Sequence, residues 1–286
     1  EVDWDGFESL LGRTLGAGLI PAVNMDTWYV QLLTEADRTR VLTVAVSLAG
    51  AGGFAAGAFV ADGEGDAYDH DAYARAMAEV SEAGGTPVLF PSWGLAALDE
   101  AEWVAAQERL GSGVDRFIAF ELGDMFVPYG RIYSLDAYRG LMGIPSCIGA
   151  KHSSLSRQAE WARLALRNEV RSDFSVFTGN DLAIDMVRYG SDYLLGLSAF
   201  APDAFAERDR RWAAEESSFD ELNDLLQYLG FFAFRPPVPG YRHDAAMFLK
   251  LRGWIDSDAT PVGAPQRPDA DREVLADIAG RLTDVL

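Results

Sequence analysis

The chain has 286 residues and a formal net charge of −20 at pH 7, from 44 acidic and 24 basic side chains. This charge argues against nucleic acid or an anionic membrane surface as a partner. The sequence contains no run of about 18 or more apolar residues, so it predicts no membrane-spanning helix. Cys147 is the single cysteine, which excludes an internal disulfide and makes a reducing cytoplasm the expected location. The length favours one large domain with additions over two domains.

Strand and helix patterns alternate along the chain up to about residue 200. An apolar face that includes Trp4 and Leu11 predicts a first helix over residues 4–15. Buried strands are predicted at residues 16–24, 54–60, 86–90, 116–121, 146–150, 174–177 and 193–197. Helices are predicted between them at residues 34–46, 71–83, 98–110, 134–142, 156–170 and 182–189. This alternation predicts βα crossovers around a parallel sheet. The number of units favours a barrel, although an open flavodoxin-like sheet also fits.

The remainder of the chain has only helical patterns, which predict helices at residues 203–215, 219–229, 243–251 and 271–286. An apolar connector at residues 231–239 contains prolines that end the helix before it. We therefore expect a barrel domain over residues 1–202 and a helical extension over residues 203–286, packed on the barrel.

Lys151 is the most informative side chain in the sequence. Lysine and arginine together number 24, yet only Lys151 and Lys250 are lysines. Lys151 follows the predicted strand 146–150 and precedes a serine-rich turn, whose hydroxyls can cap the next helix. An amine buried among apolar groups loses hydration, which favours the neutral, nucleophilic form. A surface lysine or an ion-pair partner is the alternative interpretation.

Three segments carry a resemblance to a known family. Residues 148–154 (IGAKHSS), 174–181 (FSVFTGND) and 189–198 (YGSDYLLGLS) resemble the dihydrodipicolinate synthase / N-acetylneuraminate lyase family. The resemblance implies a TIM (β/α)8 barrel with additional C-terminal helices, a Schiff-base lysine at Lys151 on the sixth strand, no organic cofactor, and a homo-oligomer, either dimer or tetramer. In this register the predicted strand 16–24 is the family's second strand, and the first would precede Trp4.

The turn after strand 16–24 departs from the family pattern. The family's G-T-T-G-E aligns with residues 25–29, where Thr27 is retained and Asp26 replaces a proton-relay threonine. In the family this turn holds the carboxylate of a 2-keto acid, which Asp26 would repel. We therefore expect a substrate other than pyruvate, with Asp26 near Lys151 in an acid/base or lysine-pairing role. Thr27 and Tyr29 are expected to contact the substrate. A turn or helix N-cap is the alternative role for Asp26.

Both tyrosines of the family's proton relay are also replaced. They align with Phe120 and Trp93, which cannot exchange a proton, and both are expected to line the substrate site. Glu121, at the end of the predicted strand 116–121, is a candidate replacement proton donor, as are Asp124, Tyr129 and Tyr133 in the loop that follows. A loop residue without a catalytic role is the alternative interpretation for each of them. Ser198, in the run that resembles the family's eighth strand, is a candidate substrate contact. His152 alternates away from Lys151 along the strand and is expected to support the site or pack in the core.

Residues 62–71 (DGEGDAYDHD) form an acidic segment that could bind a divalent cation. An EF-hand loop requires glycine at its sixth place and glutamate at its twelfth, and those places hold Ala67 and Tyr73. A solvated acidic loop is therefore the main interpretation and no metal site is expected, although His70 could reach substrate at the barrel mouth. The chain has no Ser-His-Asp order that indicates a hydrolase and no zinc-ligand spacing.

The sequence thus predicts a lyase or aldolase that acts on a small carbonyl compound through a lysine Schiff base. Dihydrodipicolinate synthesis itself is not expected, because the family's proton relay is missing. The alternative is a barrel that binds a small molecule without turnover. A metal-dependent lyase or hydrolase that uses the acidic segment is a third possibility.

Overall fold

A computed structural model describes residues 2–50 and 53–286 of the chain. These residues divide into two compact units. The sheet unit consists of Pro21–Asn180 and Met186–Leu194, and the helical unit consists of residues 2–20, Asp181–Asp185 and Leu195–Leu286. The predicted alternation of strands and helices belongs to the sheet unit.

Among the described residues, seven parallel strands form one sheet, and each strand pairs with the next along the chain. Their bounds are β1 (Ala22–Val23), β2 (Ala55–Ala58), β3 (Thr86–Leu89), β4 (Phe117–Leu122), β5 (Cys147–Ser153), β6 (Ser175–Thr178) and β7 (Asp192–Tyr193). Consecutive parallel order with helical crossovers is the arrangement of a TIM barrel. The predicted fold class is therefore confirmed.

The sheet curls strongly. Lys151 on β5 and Asp26, three residues after β1, approach to 3.5 Å. In a flat sheet four strand spacings would separate β1 from β5 by about 19 Å, which these two side chains cannot bridge. The face that carries Lys151 is therefore the concave one.

The helices also follow the predicted order. Over the part of the chain that the structure describes, the sheet unit contains six α-helices and the helical unit five. Their bounds are α1 (Trp4–Gly16), α2 (Glu35–Ala49), α3 (His70–Glu82), α4 (Trp93–Ala97), α5 (Glu100–Gly111), α6 (Leu135–Met142), α7 (Arg157–Val170), α8 (Pro202–Ala213), α9 (Ser218–Ala233), α10 (Tyr241–Leu251) and α11 (Asp271–Val285). Helices α1 and α8–α11 belong to the helical unit.

Local hydrogen bonds explain where the helices of the sheet unit begin. Thr34 and Asp37 form a reciprocal capping box at α2, and Asp99 forms another with Glu102 at α5. Ser156, in the serine-rich turn predicted to cap this helix, accepts from the N–H of Ala159 and caps α7. Each cap satisfies an orphan N–H group and fixes the exit from the preceding loop.

Three predicted elements differ most from the structure. The strand predicted at residues 16–24 is only β1, because α1 continues to Gly16 and Gly18 turns the chain at φ 81°. The strand predicted at residues 193–197 is only β7, and the helix predicted at residues 182–189 is a 3₁₀ turn at Ile184–Tyr189. Helix α4 was not predicted.

The sheet unit has an apolar core between the sheet and helices α3, α5 and α6. Trp103, Leu110, Phe117 and Leu141 are almost fully buried there. Cys147 lies in the same cluster, where burial raises the pKa of its thiol to about 12 and makes it unreactive at neutral pH. The predicted packing role of Cys147 is confirmed.

In the helical unit, α10 packs on α11 and α8 packs on α9. Phe205, Leu226, Phe248 and Ile278 are fully buried in its core. None of the described helices in either unit combines the length and apolar character that a membrane crossing requires.

Candidate functional site

Lys151 is a buried amine on the concave face of the sheet. Its side chain is only 5% exposed, and its Nζ lies 3.5 Å from Asp26 Oδ1 and 4.3 Å from the centre of the Phe120 ring. Phe120 on β4 and Phe177 on β6 are its register partners, so aromatic side chains flank it on the same face. A cation held near a carboxylate and over an aromatic face is stabilised by both.

Asp26 reaches Lys151 because the turn after β1 approaches β2 closely. Asn24 and Tyr29 adopt φ angles of 52° and 59°, and Asp26–Trp28 between them form a 3₁₀ turn. A Cβ at Gly57 of β2 would come within 2.1 Å of the Asn24 carbonyl oxygen. Glycine at position 57 therefore permits the turn that places the Asp26 carboxylate, which is buried like Lys151.

The other substrate-binding candidates lie in three places. Thr27 is buried beside Asp26, and Tyr29 follows in the same turn. Trp93 begins α4, is partly buried, and its ring lies 5.3 Å from that of Tyr129. Ser198 belongs to the helical unit, where its hydroxyl donates to the Leu195 carbonyl at 2.7 Å.

The position of Glu121 corrects its predicted role as a proton donor for Lys151. In the β4–β5 ladder Phe120 pairs with Lys151, and Glu121 pairs with His152. Because successive side chains of a strand alternate between faces, Glu121 and His152 lie on the convex, helix-facing side. The Glu121 carboxylate is also fully occupied by partners there, so it cannot serve an imine on the other face.

The convex face carries a buried charged network that the sequence did not predict. Arg163 of α7 binds Glu121 through two nitrogens, with Nη2 2.9 Å from Oε2, and also donates to the Tyr133 carbonyl at 2.8 Å. The Tyr133 N–H donates to Glu121 Oε2 at 3.1 Å. His152 Nδ1 lies 2.6 Å from Glu121 Oε1. Burial alone would raise the pKa of Glu121. Hydrogen bonds from His152 and Arg163, the guanidinium charge, and the charge that His152 carries when protonated outweigh burial and hold that pKa below its usual value.

A second carboxylate, Glu160, lies on the same face of α7 as Arg163. It accepts hydrogen bonds from Thr178 at 2.8 Å and from Ser191 at 2.6 Å. Both donors are neutral, so desolvation dominates and raises the pKa of Glu160 despite the two hydroxyls. The sequence did contain a signal for Glu160 and Arg163. Both are charged residues on the face of α7 that its apolar residues predict to be buried, and buried charged residues usually have partners.

The acidic segment 62–71 uses its carboxylates to hold the chain. Asp62 accepts from the N–H groups of Trp93 and Gly94 at 2.9 and 2.8 Å, and Asp69 caps α3. His70 Nδ1 lies 3.1 Å from the Tyr68 hydroxyl. Within the described residues, no group of three or more histidine, cysteine or acidic side chains is placed to hold a metal ion.

No protein-family model matches the chain, and no curated protein sequence matches it. Solved structures do match over essentially its full length. A dihydrodipicolinate synthase from Thermotoga maritima has a TM-score of 0.80 and 16% identity, with 100% of this chain and 94% of that chain covered. A monomeric dihydrodipicolinate synthase variant has a TM-score of 0.79 and 16% identity, with 100% and 93% covered.

A sialic acid aldolase from Ruminococcus gnavus is similar as well, with a TM-score of 0.77, 14% identity, and 100% of this chain and 92% of that chain covered. At these identities the likeness concerns the fold. The chain therefore has the TIM-barrel fold of the dihydrodipicolinate synthases and sialic acid aldolases, with their additional C-terminal helices.

Proposed function

We propose that this chain is a divergent member of the dihydrodipicolinate synthase / N-acetylneuraminate lyase family that acts on a small carbonyl compound through a Schiff base at Lys151. One observation carries the proposal. The Lys151 amine is buried on the concave face of the sheet, with the Asp26 carboxylate at 3.5 Å and the Phe120 ring at 4.3 Å. The shared fold with known aldolases supports it.

The proposed chemistry needs only side chains of this chain. The Lys151 amine adds to the substrate carbonyl carbon, water leaves, and the protonated imine draws electrons from the neighbouring carbon–carbon bond. Asp26 lies where it can stabilise that cationic imine and exchange a proton with the substrate. Thr27, Tyr29, Trp93 and Phe120 are proposed to line the same site.

The charge of Asp26 also restricts the substrate. A 2-keto acid would bring its own carboxylate into a buried site that already holds one, and the two would repel each other. We therefore propose a small aldehyde or ketone without a carboxylate next to its carbonyl, and a reaction other than dihydrodipicolinate synthesis.

Borohydride reduction tests the proposal directly. The protein is incubated with a panel of neutral aldehydes, ketones and 2-keto acids, reduced, digested and analysed by mass spectrometry. We expect the reduced adduct on Lys151, and Lys250 serves as the internal control because it is the other lysine and pairs with Asp258 at 2.9 Å. The variant Lys151→Ala should lose the adduct and turnover, whereas Lys250→Ala should keep both. Equal modification of the two lysines in the folded protein would contradict the proposal.

A second candidate function is binding without turnover. Phe120 and Trp93 support it, because neither can transfer a proton in place of the family's tyrosines. A binding protein would keep most of its ligand affinity in Lys151→Ala, measured by calorimetry, and would show no turnover before the substitution. A homo-oligomeric state and a cytoplasmic location stay predictions.

A further inference from the structure

Ser154, His152 and Glu121 form a continuous hydrogen-bonded chain on the convex side of the sheet. The Ser154 hydroxyl lies 2.7 Å from His152 Nε2, and His152 Nδ1 lies 2.6 Å from Glu121 Oε1. A carboxylate can only accept, so Nδ1 carries the proton in this arrangement. In the neutral imidazole Nε2 is then an acceptor, and the serine donates its hydroxyl hydrogen to it.

The imidazole is held firmly in this orientation. His152 is fully buried, and so is Glu121. Arg163 binds both oxygens of the Glu121 carboxylate, and the Tyr133 N–H donates to one of them. Burial would favour a protonated Glu121, but His152 and Arg163 keep its pKa below the usual value, so the carboxylate is ionised at neutral pH. An ionised carboxylate on Nδ1 is the group that orients a histidine base and stabilises its protonated form.

Ser154 lies where a nucleophile can be reached. It directly follows β5, at the carboxyl end of the strand, and is partly exposed, whereas the preceding Ser153 is buried. Leu155 adopts a φ of 56°, and the Ser156 N–H donates to Ser154 Oγ at 3.1 Å just before α7 begins. A leucine at positive φ is strained by about 1 kcal/mol or more. A strained turn from strand to helix that presents a serine is also the backbone arrangement of nucleophilic serines in hydrolases.

We propose that Ser154 is an activated nucleophile that takes the acyl group of a small ester, with His152 as general base and with Glu121 and Arg163 as positioning residues. The Ser154 oxygen bonds to the ester carbonyl carbon, and the hydroxyl proton moves to His152 Nε2. The carbon–oxygen bond to the leaving alcohol then breaks, and the alcohol takes that proton. Water, activated by the same histidine, hydrolyses the acyl-serine and releases the carboxylic acid. This site is separate from the proposed Schiff-base site, because His152 and Lys151 point to opposite faces of β5.

The test uses the intact protein and a fluorophosphonate, with p-nitrophenyl acetate as a second probe. We expect a covalent adduct on Ser154 in the peptide map and no adduct at this position in Ser154→Ala, because alanine has no hydroxyl that could form the bond. Ser153→Ala, at the adjacent buried serine, is the matched control and should label at the wild-type rate. Folding of each variant is checked by circular dichroism.

The positioning residues need a separate measurement. Glu121→Gln should lower the maximal rate constant of labelling and leave the probe concentration for half-maximal rate unchanged. If Glu121→Gln only reduced the fraction of folded protein, the final amount of labelled protein would fall, and the rate constant of labelling would stay the same. Absence of an adduct on Ser154 in folded wild-type protein, in a tube where a known serine esterase is labelled, would overturn the proposal, as would equal labelling of Ser154→Ala.

Discussion

Replacement of Asp26 by asparagine should change which carbonyl compounds react with Lys151. Asparagine keeps the size of the side chain and an oxygen acceptor and removes the charge. Asp26 is 5% exposed and lies 3.5 Å from the Lys151 amine. A 2-keto acid bound as an imine places its carboxylate on the carbon attached to that nitrogen. The two carboxylates would then face each other across Lys151 in a site with little water.

The size of the effect follows from Coulomb's law. Two unit charges about 6 Å apart repel by about 3 kcal/mol at an effective dielectric constant of about 20, which corresponds to roughly a 100-fold change in an equilibrium constant. Asp26 also stabilises the cationic imine, but it does so for every substrate. The ratio of 2-keto acid adduct to neutral aldehyde adduct removes this common contribution. That ratio should therefore rise by about 10- to 100-fold in Asp26→Asn.

The ratio is measured by competition between pyruvate and a neutral aldehyde of similar size, followed by borohydride reduction and mass spectrometry of the Lys151 peptide. Glu64→Gln is the matched control, since it removes one negative charge from an exposed position in the segment 62–71. Its ratio should equal that of the wild type. A ratio in Asp26→Asn within twofold of the wild type, or efficient trapping of pyruvate by the wild type, would refute the repulsion argument.

Three further substitutions probe the convex side of the sheet by urea unfolding at several pH values. The pKa of Glu160 is raised in the folded protein, so the free energy of unfolding should fall as the pH rises above about 4.5, the pKa of this carboxyl in the unfolded chain. Glu160→Gln should not show this fall. The same pH dependence in the variant and the wild type would contradict the prediction. Arg163→Met leaves the Glu121 charge buried without its main partner and should cost about 3–5 kcal/mol, whereas a cost below about 1 kcal/mol would show that the network contributes little. Arg171 donates to carbonyl groups of residues 142, 144 and 147 at 3.5, 3.0 and 2.9 Å, so Arg171→Ala should cost about 2–3 kcal/mol. Arg167→Ala, which removes a partly exposed side chain that donates to one carbonyl group, should cost less.

The buried lysine beside Asp26 could be singled out from the sequence because two independent signals converge on it. Lysine is rare in this chain, and the segment around Lys151 resembles the Schiff-base strand of a known family. Alternation along the strand also gave the correct direction for His152, which the structure places on the face opposite Lys151. Both features depend on residues that are close together in the sequence, and such local patterns are visible in one sequence alone.

The error at Glu121 came from a strand boundary. The sequence predicted that β4 ends at Glu121, which makes the residue a rim side chain that can turn toward the site. The strand continues through Leu122, and its ladder pairs Glu121 with His152. Because the side-chain period of a strand is two residues, regular pairing at this position fixes Glu121 on the convex face. Strand ends are set by tertiary hydrogen bonds, which the sequence pattern does not contain.

The network of Glu121, His152, Arg163 and Ser154 was missed for a related reason. Its members come from β4, the end of β5 and α7, and are up to 42 residues apart along the chain. No short motif joins them, and the order Glu-His-Ser differs from the orders that indicate hydrolases. Only the parallel register of β4 and β5, together with the inward face of α7, brings their polar atoms within hydrogen-bonding distance.

Strand β5 therefore presents different functional groups on the two faces of the sheet. Lys151 points to the concave face, where the Asp26 carboxylate and the Phe120 ring surround its amine. His152, the next residue, points to the convex face, where the ionised Glu121 holds its ring and Ser154 meets its free nitrogen. Because consecutive side chains of a strand point to opposite faces of the sheet, the amine of Lys151 and the imidazole of His152 are separated although the two residues are adjacent.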